Sequence, residues 1–409
     1  TLPEYTTYVG GGWTHAGGRE YTMNVGDLAS GQGGEVQFIV QVDDPFPPGV
    51  DRVINRVDIG SGTPECDETN NWSTDDTPVH TDLRLYVANR NSGTVDVFNT
   101  TDFGYLRTIA VGADPFGMAT DGNLLFVTDF DEPALQGSLY VVDTLSDTVV
   151  GSTAGLGAHP AHVAVLGDHV FVASHSGEPP VTVASAEPPW DIVAQPLLDR
   201  PLTYEFGLFG ATTDEERGYI YFTKPDFGSV GIWRLDPISP TWSLDYVYPV
   251  DEAPRSILYH QPADRVYAVF GFEDELWVFD PEGWELEERI PTGHQDSNYP
   301  GYSGHGLAAQ GQCVFVSNYR DESVTAVVDG SCVERPESGS APAPPAGPYR
   351  VYLPLVGRNF ASGRRMVTIP LSGRPQGMTA AGNLLFVTLP REDRVAIIDT
   401  ERLTVIREI

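Results

Sequence analysis

At 409 residues, with 57 acidic against 24 basic side chains and a formal net charge of −33, the chain has room for one large all-β domain and a smaller one. That balance argues against a nucleic-acid partner, which needs clustered Lys and Arg, whereas an acidic surface serves solvation or attracts cations. No stretch approaches the roughly 18 apolar residues of a membrane helix, and Thr1 opens without the features of a signal peptide, so the numbering is expected to start at a processed end or inside a longer precursor.

Residues 1–81 come first and do not share the pattern of the rest of the chain. EVQFIVQVDDPFPPGVDRVINRVDIGSG reads as two β-strands around a Pro-rich turn, and PECDETNNWSTDDTPV comes after it. The acidic Asn-Asn ending before a Thr-rich strand is similar to the close of Ig-like modules repeated in bacterial surface proteins. That resemblance implies the last strands of a β-sandwich, serving as a connector. Asn71-Trp72-Ser73, and further on Asn99-Thr100-Thr101, satisfy the N-glycosylation pattern, a short rule with many chance matches.

From residue 82 onward the chain repeats. LRLYVANRNSGTVDVFNTTDFGYLRTIAVGADP alternates apolar and polar residues in three strands separated by polar turns and ends in Gly-x-x-Pro. GMATDGNLLFVTDF, beginning at Gly117, and GMTAAGNLLFVTLP, beginning at Gly377, are near copies. A strand signature recurs as LYVAN, LFVTD, VFVAS, IYFTK, VYAVF, VFVSN and LFVTL, and a second as VDVFN, LYVVD, IWRLD, LWVFD, TAVVD and VAIID, degenerate around Val181 to Ser185.

These residues resemble the YVTN-type β-propeller repeat over roughly residues 82–409. The resemblance implies a seven-bladed propeller with blades near 82–115, 116–160, 161–206, 207–254, 255–301, 302–375 and 376–409. Pro115, Pro160, Pro254 and Pro375 then sit just before innermost strands, where a missing N–H does least harm. Blade one opens at its second strand, so its innermost strand is expected from residues near Pro78 to Thr81, from chain beyond Ile409, or from another molecule.

Blade six carries a Pro-rich insertion, 333–363, whose ERPESGSAPAPPAGP run reads as an extended linker, before MVTIPL resumes the outer strand. Cys313 and Cys332 flank a hairpin, Val314 to Asn318 with Ser323 to Asp329, whose ladder sets the two sulfurs nearly opposite each other, so a disulfide is expected. Two free buried thiols are the alternative, suited to a reducing compartment. Cys66 is the odd one.

A propeller offers its channel mouth to ligands, and the residues beside each Pro or Gly hinge are Phe116, His162, Phe206, Arg255, His305 and Gln376. The set lacks the convergent histidines or carboxylates of a metal centre, so no metal or cofactor is expected; the histidines read equally well as lining a wet channel. His159, His162, His175 and His305 would converge only if blades three and six faced across the axis. Calcium is the one ion the acidic loops suggest, at Asp121, Asp129, Asp131 and Glu132 or at Glu273, Asp274 and Glu275, though none has EF-hand spacing and a solvated rim explains them equally. No P-loop, dinucleotide fingerprint or Gly-x-Ser-x-Gly is present.

The sequence is therefore read as a non-catalytic extracellular or cell-surface module, a surface-layer subunit, filament subunit or adhesin, self-associating through β edges and taking a glycan or surface ligand. The alternative is a periplasmic or secreted propeller that binds or hydrolyses a ligand at the channel mouth. Fold alone does not decide between them.

Overall fold

A computed structural model of the chain describes residues 1–26, 36–42, 52–60, 71–78, 83–130, 137–175, 179–196, 209–224, 230–235, 244–250, 254–270, 274–293, 304–328, 332, 355–359 and 365–409. Cys66, Phe206, Asp131, Glu132 and Glu273 lie outside these residues. The chain divides into two compact units, Thr1–Leu85 with Val97–Leu106 and Tyr86–Asp96 with Arg107–Ile409.

In the first unit, β1 (Thr6–Gly10), β2 (Thr14–Gly17), β3 (Glu20–Thr22), β4 (Ile39–Val42), β5 (Arg52–Asp58) and β6 (Trp72–Pro78) form three two-stranded antiparallel pairs, β1 with β4, β2 with β3 and β5 with β6. The strand on either side of the Pro-rich turn is thus present, as β4 and β5, but they pair with other partners and not with each other. Tyr8, Trp13, Tyr21 and Phe38 gather around β1 and β3, with Tyr8 4.5 Å from Tyr21 and Trp13 edge-on to Phe38 at 5.3 Å. The β7 (Arg84–Asn89), β8 (Thr94–Asn99) and β9 (Tyr105–Ala110) sheet contributes residues to both units.

Six further sheets come next in chain order. They are β10 (Pro115–Thr120), β11 (Leu124–Asp129), β12 (Ser138–Asp143) and β13 (Thr148–Ala154); β14 (Pro160–Leu166), β15 (His169–Ser174), β16 (Val181–Ser185) and β17 (Ile192–Ala194); β18 (Phe209–Asp214), β19 (Tyr219–Lys224), β20 (Val230–Leu235) and β21 (Leu244–Val250). Then come β22 (Pro254–His260), β23 (Arg265–Phe270), β24 (Glu275–Phe279) and β25 (Leu286–Pro291); β26 (Gly304–Gln310), β27 (Cys313–Asn318), β28 (Ser323–Val328), β29 (Leu355–Asn359) and β30 (Arg365–Pro370); and β31 (Met378–Ala381), β32 (Leu384–Leu389), β33 (Arg394–Asp399) and β34 (Thr404–Glu408). All are antiparallel, five of them simple meanders, and their first strands touch in succession, β10 to β14 to β18 to β22 to β26 to β31. This is an all-β propeller arrangement.

The blade count differs from the seven expected: among the described residues six full blades are present, and the first repeat is the three-stranded β7–β8–β9 sheet. The cause is visible in the sequence, since that repeat starts at its LYVAN strand with nothing of its kind before it. A second difference is β29, which joins the edge of the β26–β30 blade as a fifth strand, in the order β26-β27-β28-β30-β29. LVGRN lies within what reads as a linker insertion, so only its pairing with β30 identifies it.

Packing obeys the two-residue period of a strand. In β15, Val170 and Val172 face Phe126, Leu139 and Val141 of the preceding blade, while Phe171 and Ala173 face Ile220 and Phe222 of the next. Tyr221, between those two, turns to Ile257, Val266, Phe270 and Phe279. In β23, Val266 and Ala268 pack one way while Tyr267 and Val269 pack the other, against Val314 and Val316. A blade buried on both faces this way needs apolar residues at every position of its central strands, which is why VFVAS, VYAVF and VFVSN read as continuous runs. A disulfide joins Cys313 and Cys332, with Cα atoms 4.9 Å apart, inside a further core with Phe315, Val324 and Ala326.

Candidate functional site

The innermost strands begin irregularly. In β10, β14, β18, β22 and β26 the register with the second strand slips within the first few residues. A bulge there re-aims side chains that a regular strand would send into the interblade core. It acts on Phe116, His162 and Arg255, all partly exposed.

Phe116 leads into the densest polar–aromatic cluster of this region. Its ring stacks on Phe130 at 5.3 Å and meets the His162 ring edge-on at 5.8 Å. Phe130 stacks in turn on His159 at 4.7 Å and meets His175 at 5.8 Å. The Arg90 guanidinium lies 4.8 Å from the Phe130 centroid and 5.2 Å from that of Phe116, within cation–π range of both.

Backbone contacts fix these side chains. Arg90 Nε donates to both carboxylate oxygens of Asp114, at 2.9 and 3.2 Å, and the Asn91 amide donates to the same group. The Asp129 carboxylate, buried, accepts the amides of Ala113 and Asp114 and so shapes the link into β10. Gly112 makes room for it: its φ is +100°, and a Cβ there would stand 2.3 Å from the Asp129 carboxylate. The Phe130 amide donates to the Asp114 carbonyl, and the His175 amide to the His159 carbonyl, repeating one contact in two neighbouring blades.

Two of the histidines share one electrostatic character. Burial, with a smaller push from His175, lowers His162 to about 4. His175 also falls to about 4, first through burial and then through His159, Arg90 and Arg255. Both imidazoles are therefore neutral at pH 7, the form that accepts a proton or a hydrogen bond. The site offers flat aromatic faces, neutral imidazoles and arginines to a small molecule.

The structure brings Phe116 and His162 together, and the Arg255 charge helps to lower His175. His305 lies in β26, and Gln376 is exposed just before β31. The three histidines His159, His162 and His175 gather through neighbouring blades, by way of the stacked Phe116 and Phe130, and not across the axis. Arg90 and Phe130 are the site residues that the hinge pattern in the sequence does not single out. Their signal is positional, since each directly succeeds its blade's second strand, as do His175 after β15 and Tyr319 after β27.

Two of the acidic-loop side chains accept hydrogen bonds from residues two or three positions on. Asp121 accepts the amides of Asn123 and Leu124, and Glu275 accepts Trp277 Nε1 at 2.8 Å. Among the described residues no three His, Cys, Asp or Glu side chains are grouped to hold a metal. Asn71 precedes β6, while Asn99 Oδ1 accepts the amides of Thr101 and Asp102. No helix of the described residues is long and apolar enough to cross a membrane.

No protein-family model matches the sequence, and no curated protein matches it. Solved structures do match. A hydrazine synthase chain of Kuenenia stuttgartiensis aligns with a TM-score of 0.60 at 12% identity, over 78% of this chain and 93% of that one. The periplasmic gluconolactonase PpgL of Pseudomonas aeruginosa gives 0.58 at 16% identity, over 80% and 94%. Apo AztD of Citrobacter koseri gives 0.54 at 11%, over 80% and 94%. At these identities the likeness establishes the fold.

Proposed function

We propose that this chain is a secreted or periplasmic ligand-binding propeller whose site is the Arg90, Phe116, Phe130, His159, His162 and His175 cluster, and that the chemistry it supports is hydrolysis. The single observation that carries the reading is the convergence of two aromatic rings, three imidazoles and a guanidinium at the bulged starts of the inner strands. Such groups stack on a ligand body and position its polar atoms. A neutral imidazole takes a proton from an attacking water, and an arginine stabilises the oxyanion that forms. The disulfide suits an oxidising compartment. A gluconolactonase among the fold neighbours supports testing lactones first. The surface-layer, filament or adhesin reading has no comparable observation in its favour among the described residues.

The test is acid release from glucono-δ-lactone, monitored by pH-stat with the full chain. Release above the spontaneous rate is expected, falling on the order of 100-fold in His175→Ala, the scale of a lost acid–base group. A rate equal to that of buffer alone would remove hydrolysis from the account.

A further inference from the structure

The charges around His175 say more about the ligand than the aromatic rings do. In a chain with 57 acidic and 24 basic residues, three basic groups among the described residues lower this imidazole: His159 on the link into β14, Arg90 just past β7 and Arg255 at the start of β22. His162, on β14, is lowered in turn by His175. The Asp114 carboxylate is turned to Arg90 Nε and is 13% exposed, whereas the Arg90 side chain is 44% exposed. Arg90 is held from behind by Asp114 and from below by the rings of Phe116 and Phe130, so its orientation is set before any ligand arrives.

Pre-set positive charge beside neutral imidazoles and aromatic faces suits one class of molecule. We propose that the site selects a small organic anion, its carboxylate drawn by Arg90 and Arg255 and its flat or apolar body against Phe116 and Phe130. This rests on the binding site of the proposed function but not on hydrolysis. Hydrogen bonds with an ionised partner are about twice as strong as neutral ones, and a carboxylate adds a Coulomb attraction to the guanidinium that an uncharged amide lacks. The planar guanidinium also matches the planar carboxylate.

Benzoate and its uncharged counterpart benzamide share a ring and differ in charge, so the pair isolates this claim. Each is titrated calorimetrically into the full chain and into Arg90→Gln, Arg255→Gln and Phe130→Leu, with circular dichroism confirming that each variant is folded. Benzoate is expected to bind about 10-fold or more tighter than benzamide, the factor that one charge-assisted contact supplies. That preference is expected to shrink in either arginine variant, while Phe130→Leu weakens both ligands alike. Equal affinities that both fall in Phe130→Leu would overturn the anion preference and leave the binding site standing. Binding of neither ligand, or benzoate binding untouched in all three variants, would overturn the inference and the site together.

Discussion

At the far end of the inner strands from the site, Asp214 shows what one residue contributes to holding blades together. Its side chain has no exposure, and it accepts the Arg217 amide at 3.0 Å, Arg217 Nη1 at 3.0 Å and the Tyr221 hydroxyl at 2.9 Å. Arg217 also reaches the next blade, donating to the Tyr259 hydroxyl at 3.1 Å and to Asp264 at 2.9 Å. Burial, with the Asp264 contact second, pushes the Tyr259 phenol up to about 12, so it stays a donor at every physiological pH. Removing the cation leaves a buried carboxylate without its counter-charge, a change that costs about 3–5 kcal/mol where measured. Arg217→Ala is expected to lower the denaturant midpoint accordingly, and Arg217→Lys to recover part of the loss; a loss below about 1 kcal/mol would show that solvent reaches Asp214. Asp214, Arg217 and Tyr221 all stand in ATTDEERGYIYF, but the link to Tyr259 and Asp264 is not legible there, because those two come from the next repeat.

The recurring strand signature has an element-scale explanation. In LFVTD, Thr128 Oγ1 accepts the Gly117 amide at 2.8 Å and lies 3.2 Å from the Ala161 carbonyl of the next inner strand. In VFVSN, Ser317 Oγ accepts the Gly306 amide at 2.7 Å and donates to the Gln376 carbonyl at 3.1 Å. The hydroxyl thus bridges two blades where their inner strands bulge. The facing glycines have a matching reason: a Cβ at Gly117 would sit 2.1 Å from the Ala161 oxygen, and one at Gly306 would sit 2.4 Å from the Gln376 oxygen. Thr128→Val keeps the shape and leaves the Gly117 amide without its acceptor, so unfolding measurements should show a loss of about 1–3 kcal/mol. A loss within error would mean that water replaces the hydroxyl there. The strands, their alternation and the prolines at their starts are legible because each blade repeats one local problem with one local solution. The fifth strand β29 is not, because an edge strand after a Pro-rich stretch has no periodicity of its own.

For the whole molecule, repetition makes the propeller readable and also hides the site. Phe116, His162 and Arg255 are legible as hinge neighbours, yet the cluster is completed by Arg90 and Phe130, one residue past strands that otherwise serve the core. A repeat aligns equivalent positions, whereas the site is built from inequivalent ones: Asp114 and His159 both precede the proline that opens an inner strand, and one anchors Arg90 while the other stacks on Phe130. The acidic composition points away from anions, and only the placement of Arg90 and Arg255 reverses that expectation locally.

The most direct measurement is an NMR pH titration of the imidazole protons in the intact chain, with His162 and His175 assigned by single substitution. The account predicts midpoints near 4 for both, since packing against Phe116 and Phe130 beside Arg90 disfavours the charged form. Midpoints near the ordinary value of about 6.5 would mean that water fills the cluster, and the desolvated aromatic–imidazole site would not exist.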